Sequence, residues 1–110
     1  AMIQIDKSLL GHEGATTKFA YEKEGNQLSG FVVFFEGQYY AYVNQCRHMP
    51  IELDYKPNEF MDDQQQWIIC STHGAIYHPT SGECVSGPCR GEFLQKLNIT
   101  EMNDVLSIEI

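Results

Sequence analysis

Basic residues are scarce in this 110-residue sequence. Lys and Arg together number 7 against 15 Asp and Glu, which gives a formal net charge of -8 at pH 7. Proteins that bind nucleic acid or anionic membrane surfaces need clustered positive charge, which this chain lacks. We therefore expect no nucleic-acid partner and no membrane partner, and a protein partner with a basic docking face is favoured instead.

Long apolar runs are also missing. The longest covers residues 31–35, whereas a membrane-spanning helix needs about 20 apolar residues. The N-terminus "AMIQIDKSLLGHEG" lacks a basic region followed by an apolar core, so we expect no secretory signal and a cytoplasmic location. In that compartment four cysteines indicate metal ligands or thiols rather than a disulfide framework. The length predicts one domain over residues 1–110.

A sustained helical period with caps is absent, and strand signals take its place. The segments "TKFAYEKE" and "QLSGFVVFFEGQYYAYVN" are rich in Val, Phe and Tyr, and Glu36-Gly37 stands where a tight hairpin turn would join two strands. The C-terminal "FLQKLNITEMNDVLSIEI" predicts a second hairpin around Asn103-Asp104. Residues 51–58 leave room for one turn of helix. The pattern predicts an all-β fold.

Two Cys/His pairs carry the chemistry of this sequence. Cys46 and His48 lie in "CRH", Cys70 and His73 lie in "CSTHG", and each pair follows a predicted strand. Thiolates and imidazoles together bind either one tetrahedral zinc ion or an iron-sulfur cluster with the sulfurs on one iron and the imidazoles on the other. Zinc knuckles usually pair Cys with Cys, which favours the cluster. A Cys70 nucleophile with His73 as its base, or mere packing, are the remaining alternatives.

The segments "CRH", "CSTHG" and "TSGECVSGP", in this order, resemble the Rieske iron-sulfur family from about residue 30 to the C-terminus. The resemblance implies stacked antiparallel sheets with a small tip, formed by two loops within residues 44–90, that binds a [2Fe-2S] cluster. It also implies a Gly-Pro loop that covers the cluster, and this is matched by Gly87 and Pro88.

The same resemblance implies the ligands. Cys46 and Cys70 would hold the buried iron, and His48 and His73 would hold the outer iron. Gly74 would let the backbone approach the cluster where a Cβ atom would crowd it. Four ligands, a glycine and a covering loop in one order make the match specific.

Several positions depart from the respiratory members of the family. Their additional loop cysteines, which form a disulfide, are replaced by Ile51 and Thr72, and their serine donor is replaced by Ala75. Tyr77 either donates a hydrogen bond to a cluster sulfur or only packs. Fewer donors stabilise the reduced cluster less. We therefore expect a potential in the lower part of the range of roughly -150 to +300 mV for Rieske centres.

Residues outside the ligand set have plainer interpretations. "DYKPNEFMDDQQQ" makes the segment between the two pairs longer than is usual and predicts an extended hairpin or loop near the tip. Cys84 and Cys89 are expected to be buried thiols, with a disulfide or further metal binding as the alternatives. His12 and His78 are expected to be exposed loop residues.

These features predict a one-electron carrier and no catalytic site. Family members that are oxygenases hold a second iron on histidines and a carboxylate, for which only His12 and His78 remain here. The resemblance implies a free-standing Rieske-type ferredoxin that takes electrons from a reductase and passes them to an oxygenase or related enzyme. The alternatives are a small subunit of a nitrite reductase-like complex and a non-redox, zinc-stabilised interaction module.

Overall fold

Nine strands make up most of the regular structure of the described residues. The computed structural model describes residues 2–47, 51–54, 56, 58–71 and 74–110. The strands are β1 (Met2–Asp6), β2 (Thr16–Lys23), β3 (Asn26–Phe35), β4 (Gln38–Val43), β5 (Ile68–Ile69), β6 (Ile76–Tyr77), β7 (Cys84–Ser86), β8 (Lys96–Met102) and β9 (Val105–Glu109). A 3-10 turn at Lys7–Leu10 is the one helical segment of the described residues.

The strands form two antiparallel sheets. The larger has the order β1-β9-β8-β4-β3-β2, and the smaller has the order β5-β6-β7. Two-residue turns join β3 to β4 at Glu36-Gly37 and β8 to β9 at Asn103-Asp104. Glu36 and Gly37 have φ values of 51° and 78°, the left-handed values that such hairpin turns require. The predicted all-β fold and both predicted hairpins are confirmed.

Strand β3 separates two cores. Phe31 and Val33 point into a core shared with the smaller sheet, while Val32 points into a core formed with Leu106 and Ile108. Alternate residues of a strand face opposite sides, so a strand covered on both sides reads as one continuous apolar run. The run at residues 31–35 therefore reflects burial on both faces. The core shared with the smaller sheet also contains all four cysteines.

The long segment before Cys70 extends the smaller sheet as a hairpin. Ile69 N–H donates to the Phe60 carbonyl at 2.8 Å, and Asp62 N–H donates to the Trp67 carbonyl at 2.9 Å. The buried Phe60 ring stacks on Phe31, with ring centroids 4.1 Å apart. The sequence predicts an extended hairpin or loop here, and the structure has a hairpin that spans residues 60–69.

The predicted helical turn at residues 51–58 is not seen in the part of that segment that the structure describes. Residues 51–54, 56 and 58 lie in bends, turns and irregular backbone. Asn58 has a φ of 67°, which is incompatible with a right-handed helix. Its backbone N–H donates at 2.8 Å to the buried Asp54 carboxylate, and this bond takes the place of a helical one.

Candidate metal centre

Cys46 and Cys70 open two segments that are closed in the same way. Cys46 N–H donates to the Ile51 carbonyl and Cys70 N–H donates to the Ala75 carbonyl, both at 2.8 Å. Each cysteine is thus bonded to the residue five positions later. Both side chains are buried, at 2% and 0% exposure. We call residues 46–51 the first loop and residues 70–75 the second loop.

The two loops are fastened to each other at their bases. Ser71 N–H donates to the Leu53 carbonyl at 3.0 Å, and Leu53 N–H donates to the Asn44 carboxamide oxygen at 2.9 Å. Asn44 directly follows β4, so the end of that strand sets the position of the first loop. Displacing Leu53 would therefore disturb both loops.

A buried carboxylate holds this base in place. Asp54 accepts hydrogen bonds from the Asn44 side chain at 2.9 Å and from the Asn58 backbone N–H at 2.8 Å, and its carboxylate lies 3.1 Å from the Lys18 ammonium. Burial alone would raise the pKa of Asp54, but these three donors outweigh burial and lower it. Asp54 is therefore a charged residue within the base of the site at neutral pH.

Tyr77 brings a hydroxyl group to the first loop. The ring is fully buried, and its oxygen accepts the Arg47 backbone N–H at 3.0 Å. The same oxygen lies 3.7 Å from Cys46 Sγ and 3.0 Å from Cys89 Sγ. Burial, followed by the contact with Cys89, raises the pKa of Tyr77, so the hydroxyl keeps its proton. Tyr77 therefore packs in the core, as one of the two interpretations predicts, and a hydrogen bond from its hydroxyl to a cluster sulfur stays a prediction.

A turn at residues 87–90, which we call the covering loop, lies against the second loop. Its base is closed by Cys84 N–H donating to the Glu92 carbonyl at 2.7 Å and by Gly91 N–H donating to the Cys84 carbonyl at 3.0 Å. Gly87 and Pro88 are exposed. A Cβ atom on Gly87 would lie only 2.8 Å from Ala75 Cα, so this loop packs on the second loop backbone against backbone.

Gly87→Ala should therefore displace the covering loop. Gly87 has a φ of 102°, which a residue with a Cβ atom rarely adopts, and the clash is with backbone that cannot rotate away. We expect a loss of about 1–3 kcal/mol in unfolding free energy, measured by urea denaturation. Gly37→Ala is the matched control: Gly37 also has a positive φ, of 78°, but a Cβ atom there would meet no described atom within 4 Å. An equal loss in both variants would contradict the packing explanation.

Cys84 and Cys89 face each other below the covering loop. Their sulfurs are 3.1 Å apart, in contact but too far apart for a disulfide bond of about 2.05 Å, and both side chains are buried. Burial raises the pKa of the Cys84 thiol to about 11, so it stays protonated at neutral pH. The prediction of buried thiols is confirmed, and the structure adds a contact between Cys89 and Tyr77.

The chemistry of this site suits an iron-sulfur cluster. Two buried cysteine sulfurs begin two loops that are closed by equivalent hydrogen bonds, and each loop carries one histidine in its sequence. Sulfur together with imidazole is the Rieske donor set. His48 and His73 lie outside the described residues, as does Thr72. The family model described as Rieske [2Fe-2S] domain matches residues 6–102. The chain belongs to the Rieske [2Fe-2S] family. The cofactor that this family implies is a [2Fe-2S] cluster.

Solved structures of proteins of carbazole 1,9a-dioxygenase share the fold. The ferredoxin of carbazole 1,9a-dioxygenase from Nocardioides aromaticivorans IC177 gives a TM-score of 0.69 at 19% identity, covering 94% of this chain and 91% of that chain. A chain from a complex of reduced oxygenase and oxidized ferredoxin in carbazole 1,9a-dioxygenase gives 0.73 at 20% identity, with 97% and 91% covered.

An oxygenase structure is similar over a smaller share of its length. The terminal oxygenase of carbazole 1,9a-dioxygenase from Novosphingobium sp. KA1 gives a TM-score of 0.74 at 14% identity, with 99% of this chain and 29% of that chain covered. This chain thus spans under a third of the first chains it matches. At these identities the likeness is one of fold. Among curated proteins, no sequence matches this one.

Part of the sequence-predicted site lies in one region of the structure. Cys46, Cys70 and Tyr77 belong to one core, and Gly87 of the covering loop packs on Ala75 of the second loop. The assignment of the four ligands stays a prediction. Gly74, also predicted, has a φ of 72°, and a Cβ atom would meet nothing within 4 Å in the described residues. The positive φ of Gly74 is therefore what favours glycine at this position in the structure. The predicted close approach of its backbone to the cluster stays a prediction.

One prediction about a neighbouring residue changes, and one further residue acquires a role. His12 is exposed, as expected, but His78 is half-buried: its ring packs edge-on against Trp67, and its Nδ1 lies 2.8 Å from the Thr80 hydroxyl. The Asp62 carboxylate accepts the backbone N–H groups of Gln66 and Trp67. Asp62 therefore stabilises the turn of the long hairpin, a role that the sequence did not indicate.

Proposed function

We propose that this chain is a one-electron carrier of the Rieske ferredoxin type, which accepts electrons from a reductase and delivers them to an oxygenase or related enzyme. The observation that carries the proposal is the similarity to a ferredoxin of carbazole 1,9a-dioxygenase, which extends over 94% of this chain and 91% of that chain. The bound cluster would supply the one-electron chemistry.

The proposed ligands are Cys46, His48, Cys70 and His73. Burial of both cysteines excludes water from the sulfur side, and equivalent backbone hydrogen bonds join Cys46 to Ile51 and Cys70 to Ala75. Rieske centres use two thiolates on one iron and two imidazoles on the other. The four residues supply this set.

The proposal also includes the domain bounds, the cellular location and the absence of a catalytic site. We propose one Rieske domain over residues 1–110, with its cluster-binding part at about 44–90, acting as an electron-transfer protein in the cytoplasm without catalysis of its own. Within the described residues, no helix is long and apolar enough to cross a bilayer. The net charge of -8 supports a protein partner with a basic docking face over nucleic acid.

Metal analysis and electron paramagnetic resonance test the proposal. We expect equal amounts of iron and acid-labile sulfide, and a signal that appears on addition of one electron per protein. Protein-film voltammetry should give a potential in the lower part of the range of roughly -150 to +300 mV, because Ala75 offers no hydroxyl donor. Colourless protein with one zinc ion would refute the carrier, and a potential near the top of the range would refute the argument from donors.

A further inference from the structure

A line of hydroxyl and thiol groups leads away from the Cys46 sulfur. The Tyr77 hydroxyl oxygen lies 3.0 Å from Cys89 Sγ, Cys89 Sγ lies 3.1 Å from Cys84 Sγ, and Cys84 Sγ lies 3.2 Å from the Ser86 carbonyl oxygen. All three side chains are at most 3% exposed. Buried polar groups satisfy each other, so this line behaves as one hydrogen-bonded chain.

The direction of the chain is fixed at its end. A carbonyl oxygen only accepts hydrogen bonds, so Cys84 donates its single proton to Ser86. Cys89 then donates its proton to Cys84, and the lone pairs of Cys89 remain to accept from Tyr77. The Tyr77 oxygen already accepts the Arg47 backbone N–H. The one proton of the Tyr77 hydroxyl is therefore directed at Cys89.

The same proton is the one that Tyr77 could offer to Cys46, 3.7 Å away. We propose that Cys89 is a positioning residue that competes with Cys46 for the Tyr77 hydroxyl proton and thereby lowers the reduction potential of the cluster. The inference rests on the proposed ligation of iron by Cys46. A hydrogen bond to a ligand sulfur favours the reduced cluster, which carries more negative charge. When the Tyr77 hydroxyl donates its proton to Cys89 instead of Cys46, the reduced cluster is stabilised less.

Removing the competing acceptor should raise the potential. In Cys89→Ala, Cys46 is the sulfur left for the Tyr77 proton, and we expect the equilibrium constant for reduction to rise by up to about tenfold, or 59 mV for one electron. Cys89→Ser retains an acceptor and should stay near the wild-type potential. Both potentials are measured by protein-film voltammetry, with iron and sulfide content confirming an intact cluster.

A second variant tests the direction of the chain without touching Tyr77 or Cys89. Cys84→Ala removes the acceptor of the Cys89 proton, which can then be donated to the Tyr77 oxygen. The Tyr77 proton turns toward Cys46, so the potential should rise as in Cys89→Ala. Ser86→Ala is the matched control, because the chain ends on the backbone carbonyl of Ser86 and its side chain is exposed. Its potential should not change.

A double-mutant cycle isolates the competition. Tyr77→Phe should change the potential little in the wild type, in which the proton is directed at Cys89, and should lower it clearly in the Cys89→Ala background. Equal effects of Tyr77→Phe in both backgrounds, or an unchanged or lower potential in Cys89→Ala with an intact cluster, would overturn the inference. If Cys89→Ala assembles no cluster, the sign of the Cys84→Ala shift decides. Wild-type protein without iron would instead refute the proposed function, on which the inference rests.

Discussion

Cys70→Ala should lose the [2Fe-2S] cluster, whereas Cys84→Ala should keep it. Both residues are fully buried cysteines of one core, so the loss of a small apolar side chain is comparable. They differ in position, because Cys70 heads the second loop and Cys84 begins β7 beneath the covering loop. Alanine has no atom that can bind iron in place of the thiolate. An iron that lacks one protein ligand is open to water, so the cluster would hydrolyse and be lost. Iron and sulfide content and visible absorption of the purified variants measure the difference.

The same comparison extends to the histidines. His48→Ala and His73→Ala should reduce cluster content, while His12→Ala should not, because His12 is exposed and its Nδ1 contacts only the Glu13 carbonyl among the described residues. Wild-type iron content and an unchanged paramagnetic resonance signal in Cys70→Ala or in either ligand-histidine variant would refute that ligand. Loss of iron in Cys84→Ala as well would mean that general destabilisation, and not ligation, is being measured.

The sequence predicts the strands and hairpin turns of this fold because these depend on interactions between residues that are close in the chain. Glu36-Gly37 and Asn103-Asp104 are read as turns from their own chemistry, and the structure has hairpins at both. The paired motifs around Cys46 and Cys70 are local as well, and the family match over residues 6–102 bears out the family and the cofactor that they indicated. Short-range patterns thus predicted the fold class, the family and the cofactor.

What the sequence did not reveal depends on contacts between distant segments. Asp54 contacts Lys18, 36 residues earlier, and Tyr77 contacts Cys89, 12 residues later, and neither pair forms a motif. His78 is predicted to be an exposed loop residue, yet it is half-buried and its ring packs edge-on against Trp67. The supporting residues of the site therefore became visible only with the tertiary structure.

Asp54→Ala should weaken the base of both loops more than any exposed acidic substitution nearby. The change removes the acceptor of the Asn44 side chain, the Asn58 backbone N–H and the Lys18 ammonium, and leaves a side-chain amide and a backbone donor without their partner. We expect the free energy of unfolding to fall by about 3 kcal/mol. Asn44 also holds Leu53, whose carbonyl accepts the Ser71 N–H, so cluster loss on heating should be faster as well.

The Lys18 neighbourhood supplies a matched control. Glu52 also contacts Lys18, at 3.3 Å, but its carboxylate is half exposed, so Glu52→Gln should change the unfolding free energy by no more than about 0.5 kcal/mol. Urea unfolding followed by circular dichroism measures all variants. Equal destabilisation by Asp54→Ala and Glu52→Gln would show that the charge on Lys18, rather than the buried hydrogen bonds of Asp54, carries the effect.

The unfolding free energy should depend on pH because of the Asp54 carboxylate. Because the folded state lowers the pKa of Asp54 below its ordinary value of 3.8, the stabilisation by its ionised form is complete above that value and is lost as pH falls through the lowered pKa. Wild-type protein should therefore lose stability between about pH 5 and the acid limit more steeply than Asp54→Asn, which cannot ionise at this position. Parallel acid-unfolding profiles of the two proteins would contradict the assignment of a lowered pKa to Asp54, and with it the account of a charged anchor beneath the two cysteine loops.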